Sequence, residues 1–318
     1  MKNAIRIGTR DSRLAVWQAE LVQKSLEKLG HPSSLVFIKS EGDTDLNTPL
    51  YEMGVQGVFT RSLDAALLDG RIDIAVHSMK DVPTMLAAGI VKVAVLKRGS
   101  YKDLFIPHPA IEINDPFFTN DLVAPSLLDV EAGTSPRVVG TGSVRRRAQW
   151  LNRFPAHTIE NLRGNVLTRL EKLSASGWDG IIMAAAGVER LGVRPSNAIE
   201  LDWMLPAPAQ GAIMVVARAE DPISAILAKL NDEATSTCTS VERDFLRALM
   251  GGCSTPISAV AEIEGKKLRF RGNILSPDGR MKVEIEKYSE LDDIAGLGAR
   301  MAGLILKDGG QEVLDSFT

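Results

Sequence analysis

The chain has 318 residues, 45% of them hydrophobic, with 37 Lys and Arg against 40 Asp and Glu for a formal net charge of −3. That length exceeds one ordinary core and suits two or three domains of a soluble globular protein, while the slight acidic excess argues against a nucleic-acid binder. Two cysteines frame no disulfide scaffold, four scattered histidines give no metal site, and no signal peptide or apolar run of membrane-spanning length is present, so the sequence reads as cytoplasmic.

In chain order, Ala4–Thr9 is a short β-type run. After Thr9-Arg10-Asp11-Ser12, apolar residues recur at helical spacing from Leu14 to Leu29. Arg10 therefore stands where a strand gives way to a helix N-terminus, a place that favours an anion but equally suits a solvated arginine. Leu35–Lys39 reads as a second strand, 42–45 as a turn, 48–59 as a loop and 60–68 as a helix. Ile72–Val76 is apolar enough for a parallel strand covered on both faces. It runs into His77-Ser78-Met79-Lys80-Asp81-Val82-Pro83, a polar cluster at a strand's C-terminal end, the edge where open α/β sheets bind ligands. Val91–Leu96 is a further strand, and a crossing between domains is expected near Arg98–Tyr101. From Gly99 to Pro136 the prolines and small polar residues suggest a long surface excursion.

The next region carries the most informative charges. Val138–Gly140 leads through Thr141-Gly142-Ser143 into a helix that opens Val144-Arg145-Arg146-Arg147. Hydroxyls suit the cap, but arginines in the first turn oppose the helix dipole, so an anion is expected there. The pattern recurs. The strand 157–160 ends in Asn161-Leu162-Arg163-Gly164-Asn165 before a helix bearing Arg169, and Gly180–Ala184 precedes a glycine-broken helix bearing Arg190. Guanidiniums at successive strand-to-helix edges converge on an anion site.

Leu205–Ala212 is extended and proline-rich, and Ile213–Arg218 reads as a strand returning to the first sheet, so two crossings form a hinge between lobes. Beyond Pro222 come two helices, strands at 257–262, 267–274 and 281–288, and a final helix to about residue 306. An amphipathic run from 241 to 250 ends in Gly251-Gly252, presenting Cys253 on a turn among glycine, serine and threonine. Cys253 is there either as a buried thiol or as a chemical group facing a cleft.

Taken together, six spaced blocks resemble the porphobilinogen deaminase family along nearly the whole chain. They are Ile7-Gly8-Thr9-Arg10-Asp11-Ser12, Asp73 through Pro83, Gly140-Thr141 through Arg145-Arg146, Leu162 through Val166 with Thr168-Arg169-Leu170, Ala209-Gln210-Gly211, and Gly251-Gly252-Cys253 with Thr255-Pro256-Ile257. The resemblance implies an α/β fold of two periplasmic-binding-protein-like lobes with mixed, mainly parallel sheets, plus a small C-terminal α+β domain. The expected boundaries are 1–98 with 207–221, then 99–206, then 222–318.

It also implies a dipyrromethane cofactor joined to Cys253 by a thioether, Asp81 as the catalytic residue, and a monomer acting on the small molecule porphobilinogen with no nucleic-acid or membrane partner. By the same resemblance Asp43, Ser78, Lys80, Asp81, Thr141, Ser143, Arg145, Arg146, Arg163 and Gln210 would hold the cofactor, and Arg10, Ser12, Phe59, Arg163, Arg169 and Arg190 the substrate. Three positions depart from the family pattern: Gln56 replaces a usual lysine in a covering loop, Arg13 a proline, and Gly142 a small hydroxyl or alanine. Two readings compete: a two-lobed anion- or solute-binding protein, which needs neither Cys253 nor an aspartate among arginines, and a deaminase-like protein that has lost activity, for which Gln56 would be the first suspect.

Overall fold

A computed structural model describes residues 4–39, 60–111, 117–122, 135–250 and 255–317. Asp43, Gln56, Phe59 and Cys253, all singled out from the sequence, lie outside the described residues.

The first sheet has the order β2-β1-β3-β10-β4, from Ser33–Phe37, Ile5–Thr9, Ile74–Ser78, Ile213–Arg218 and Ile90–Leu96. β1 is parallel to β2 and β3, whereas β10 lies antiparallel between β3 and β4. Alternation along β3 explains its unbroken apolar run. Ile74 and Val76 meet Ala19, Val22 and Leu26 of α1 (Arg13–Lys28), and Ala75 meets Leu63, Ala66 and Leu67 of α2 (Arg61–Leu68) on the opposite face.

A second sheet repeats the plan as β7-β6-β8-β5-β9, from Thr158–Glu160, Val138–Gly140, Gly180–Ala184, Asp103–Pro107 and Ile199–Glu200. Again the fourth strand, β5, is antiparallel to both neighbours. Helices α3 (Val144–Arg153), α4 (Val166–Ser174) and α5 (Ala185–Arg190) belong to this unit. The antiparallel strand in each sheet follows a crossing from the other, so the two lobes are woven through a pair of connections.

β5 corrects the expectation of a surface excursion from 99 to 136. Residues 103–107 are a fully buried strand, and Phe117 and Phe118 pack beside Phe105 and Trp150 in the core. Five residues closed by a proline are too few to show periodicity, and the proline is tolerated as the strand's last residue.

The third unit is an antiparallel sheet of β11 (Ile257–Glu264), β12 (Lys267–Leu275) and β13 (Lys282–Glu290), covered by α6 (Glu233–Ala248) and α7 (Leu297–Ile305), with α8 (Gln311–Asp315) closing the chain. α6 starts eight residues earlier than its apolar pattern indicated. Its first half is rich in serine and threonine, poor helix formers, but Asp232 caps it by accepting the N–H of Thr235 at 2.9 Å, and Cys238 anchors it in the core. The helix stop also comes sooner than the glycine pair: Met250 itself takes a left-handed conformation, φ 53°.

Candidate active site

β3 ends at Ser78, and the next residues, Met79–Asp81, form one tight helical turn at the carboxyl edge of the first sheet. Gln18 of α1 donates to Ser78 Oγ at 2.8 Å and takes a hydrogen bond back at 3.2 Å, which ties the strand end to that helix. Lys80 Nζ donates to Gln210 Oε1 at 3.2 Å. Gln210, fully buried on the return crossing, donates to the carbonyl of Tyr101 at 2.8 Å and to Asp103 Oδ1 at 2.9 Å.

Asp103 opens β5 with no exposed surface and receives two arginines from α3. Arg145 Nη2 lies 2.7 Å from Oδ2, and Arg146 reaches Oδ1 through Nε at 3.1 Å and Nη2 at 2.8 Å. Burial would raise this carboxyl, but the two guanidiniums and their hydrogen bonds outweigh it and hold Asp103 down at about 2. The anion that arginines in a helix first turn called for is thus partly the protein's own. Arg145 also donates to Leu205 O at 2.6 Å and Arg146 to Ile182 O at 3.1 Å, while Arg145 Nε, buried, has no partner.

Further cations lie around Asp103 and Asp81. Lys80 is pushed down to about 8, first by burial and then by Arg146 and Arg145, against the opposing pull of Asp81 and Asp103. Arg169 falls to about 10, through burial followed by Arg146 and Arg163, with Asp81 opposing. These mutual effects place Lys80, Asp81, Asp103, Arg145, Arg146, Arg163 and Arg169 in one cluster: among the described residues, five cations against two carboxylates.

Local geometry supports the cluster. Ser143 caps α3 by accepting the N–H of Arg146 at 3.4 Å, and buried Thr141 accepts the N–H of Ser143 at 3.3 Å. A Cβ on Gly142 would come within 2.5 Å of Leu162 O, so this turn sits closer to the Arg163 loop than alanine would permit. Arg169 Nε donates to Gly164 O at 2.8 Å. Arg190 Nη2 donates to Gly211 O at 2.6 Å and the guanidinium lies 5.5 Å from the Trp17 ring, bridging α5 to the return crossing and α1. Arg10 makes itself felt at His77, which burial and then that charge push down to about 4. Ser12 occupies the N-cap of α1 without a capping bond from its side chain.

Comparison with known proteins decides the family. The model described as "Porphobilinogen deaminase, dipyromethane cofactor binding domain" matches residues 5–225, and the corresponding C-terminal domain matches 236–307. Curated porphobilinogen deaminases from two strains of Acidithiobacillus ferrooxidans are each 38% identical over 321 aligned residues, covering 99% of this chain and 98% of theirs. The chain belongs to the porphobilinogen deaminase family. Such a deaminase is a transferase. Among solved structures, the L-cystine solute receptor of Neisseria gonorrhoeae in its unliganded open conformation is 12% identical, covering 79% of this chain and 94% of its own at a TM-score of 0.39. So loose a superposition carries no weight here; the paired sheet orders show the α/β architecture by themselves.

Several residues that shape this porphobilinogen deaminase site escaped sequence reasoning. Asp103 gave only the signal of a lone acid opening the apolar run Leu104-Phe105-Ile106. Glu242 gave a better one, an acid four residues from Cys238 on the apolar face of α6. Fully buried, it pairs with Arg98 through both oxygens at 2.6 and 3.0 Å and also accepts the N–H groups of Ala209 at 2.6 Å and Ala261 at 2.8 Å. One carboxylate thereby joins both crossings to the third unit. At the crossing itself Gly211, φ 86°, has Ser100 O and Gly99 O within 2.8 Å of where a Cβ would sit, so only glycine allows the two strands to pass. Of the two cysteines, Cys238 is buried in the third core with its thiol pushed up to about 11 by burial and by Glu242, the opposite of an activated nucleophile. Among the described residues no helix is long and apolar enough to cross a membrane, and no group of His, Cys, Asp and Glu could hold a metal.

Proposed function

We propose that this chain condenses four porphobilinogen molecules head to tail with loss of ammonia, extending a dipyrromethane primer, and releases linear hydroxymethylbilane by hydrolysis. The observation that carries this reading is the excess of cations around Asp81. Each pyrrole brings an acetate and a propionate, and a cluster of five cations with two carboxylates is matched to a polyanion rather than to a single small solute.

The residues present fit the primer. Arg145 keeps a buried Nε without a protein acceptor, and burial first, then the neighbouring Arg146 charge, lowers Lys80, Arg145 and Arg169, a cost that ligand carboxylates would offset. Arg145, Arg146, Arg163, Lys80, Ser78, Thr141, Ser143, Asp43 and Gln210 would hold it, with Cys253 as the covalent attachment. Bound there, the primer would supply the nucleophilic pyrrole carbon to which the first unit is joined, each added unit offering the carbon for the next. Arg169, Arg10, Arg190, Ser12 and Phe59 are assigned to the incoming substrate. Loss of ammonia from porphobilinogen breaks its C–N bond and leaves a resonance-stabilised cation. Asp81, fixed at the carboxyl edge of β3, stabilises that charge at the ring nitrogen, and a proton departs as the new C–C bond forms. One carboxylate in one place can serve every cycle.

The three sheets are read as the cores of three domains, bounded at 1–98 with 207–221, 99–206 and 222–318, in a cytoplasmic monomer with no nucleic-acid or membrane partner. Intact mass of the protein from cells that make porphobilinogen tests the proposal. The expected result is an adduct of two pyrrole units, kept in Cys238→Ser and lost in Cys253→Ser. An unmodified wild-type mass would overturn it.

A further inference from the structure

The segment that bears Asp81 lies past the end of β3, held to the neighbouring backbone by one last bond, the N–H of Met79 to Ala212 O at 3.0 Å. Its carbonyls are gathered by one side chain from the third unit. Arg243 of α6 donates from Nη1 to Met79 O at 3.3 Å and to Val82 O at 2.9 Å, and from Nη2 to Pro83 O at 2.6 Å. Three carbonyls flanking Asp81 thus converge on a single planar guanidinium, whose fixed fork orders more backbone than a lysine's flexible ammonium could.

The helix that carries Arg243 is itself anchored to the first sheet. Asp232 N donates to Val95 O at 2.8 Å, Asn231 Oδ1 accepts the N–H of Val95 at 2.9 Å, and the neighbouring Glu242 grips the two crossings. Beside the guanidinium is a cavity of about 190 Å³, also lined by Met79, Thr84, Leu86, Lys92 and Met214. Met79 and Val82 are themselves buried in the first sheet's core, so the guanidinium adds its hydrogen bonds to side-chain packing at both ends of the turn.

We propose that Arg243 is a positioning residue for the reaction: it touches no reacting atom, and it sets the place of the Asp81 carboxylate through the backbone on either side. This rests on the reading of Asp81 given above. Misplacement of a reacting group by about 1 Å can cost on the order of a hundredfold in rate.

The test uses the full-length, primed enzyme, with priming checked by intact mass. Arg243→Gln is expected to lower kcat by about 10- to 100-fold while KM for porphobilinogen stays within about twofold. In an Asp81→Glu background, where the carboxylate is already displaced by a methylene, the same change should cost less than about threefold, the non-additivity expected of coupled residues. Arg243→Lys, which keeps the charge without the fork, should recover part of the lost kcat, and it carries the same double-variant comparison should Arg243→Gln fail to fold. Unchanged kcat in the single variant, a rise in KM alone, or an equal loss in both backgrounds would overturn the proposal. Near-normal turnover in Asp81→Ala would instead remove the reading of Asp81 on which it stands.

Discussion

Arg98 and Glu242, 144 residues apart, meet as a two-pronged ion pair at 2.6 and 3.0 Å, with no Glu242 side-chain surface exposed. Arg98 belongs to the first crossing and also donates from Nε to Gln210 O at 2.8 Å on the second. The relation between the lobes is therefore set together with the seat of α6. Glu242→Gln should destabilise the fold by about 3–5 kcal/mol, because it leaves a buried guanidinium without its counter-charge and aims an amide N–H among donors. Chemical denaturation followed by fluorescence would check this, and an unchanged midpoint would show the pair to be dispensable.

Asp103 occupies guanidiniums that the function assigns to ligand carboxylates. Asp103→Asn should therefore lower the thermal midpoint of the unprimed protein while widening the gap between unprimed and primed forms, since the released arginines gain more from an anionic ligand. Melting curves of both forms, the unprimed one made in cells without porphobilinogen, measure that gap. A gap that stays constant or narrows contradicts the role.

Asp81→Ala should leave the fold largely intact and reduce turnover by orders of magnitude, because the change removes stabilisation of a developing cation rather than core packing. Steady-state kinetics beside a thermal melt would separate the two effects. A variant that melts early and turns over normally when folded would contradict the assignment.

The site should lose affinity in mild alkali. Lys80, assigned to the primer, is charged at neutral pH in the unprimed protein and loses its proton as pH rises through about 8, so primer assembly on the unprimed protein, followed by intact mass, should slow above that pH, and Lys80→Met should flatten that dependence. Stability moves the other way. Between about 8 and the ordinary lysine value near 10.5 the unfolded chain holds a proton that the native one has shed, so this group makes the fold more stable as pH rises. His77 acts at the acid end. Its folded value of about 4 lies below the ordinary 6.5, so native stability falls as pH drops from 6.5 towards 4, by about 3 kcal/mol for this one group. Urea midpoints measured across both windows would reveal the slopes.

Most strands and helices were legible in the sequence because the forces that form them are local. Alternating or 3.6-residue apolar spacing, a capping Ser143 or Asn165, and arginines at strand-to-helix edges are all read within a dozen residues. Where local signals were short or contrary, as in the five residues of β5 and the hydroxyl-rich start of α6, the reading failed and tertiary burial decided.

The chain's own order of residues determined its family and its secondary-structure plan, and it singled out the groups of the proposed chemistry: one aspartate, a set of arginines and one cysteine. Only the folded arrangement decided which of those charges answer one another. Asp103 faces Arg145 across 42 residues, Gln210 faces Lys80 across 130, and Arg243 holds the carbonyls beside Asp81 across more than 160. Such pairings have no local pattern to betray them, since each depends on where two separately stable elements come to rest and on how much water the packing leaves between their charges.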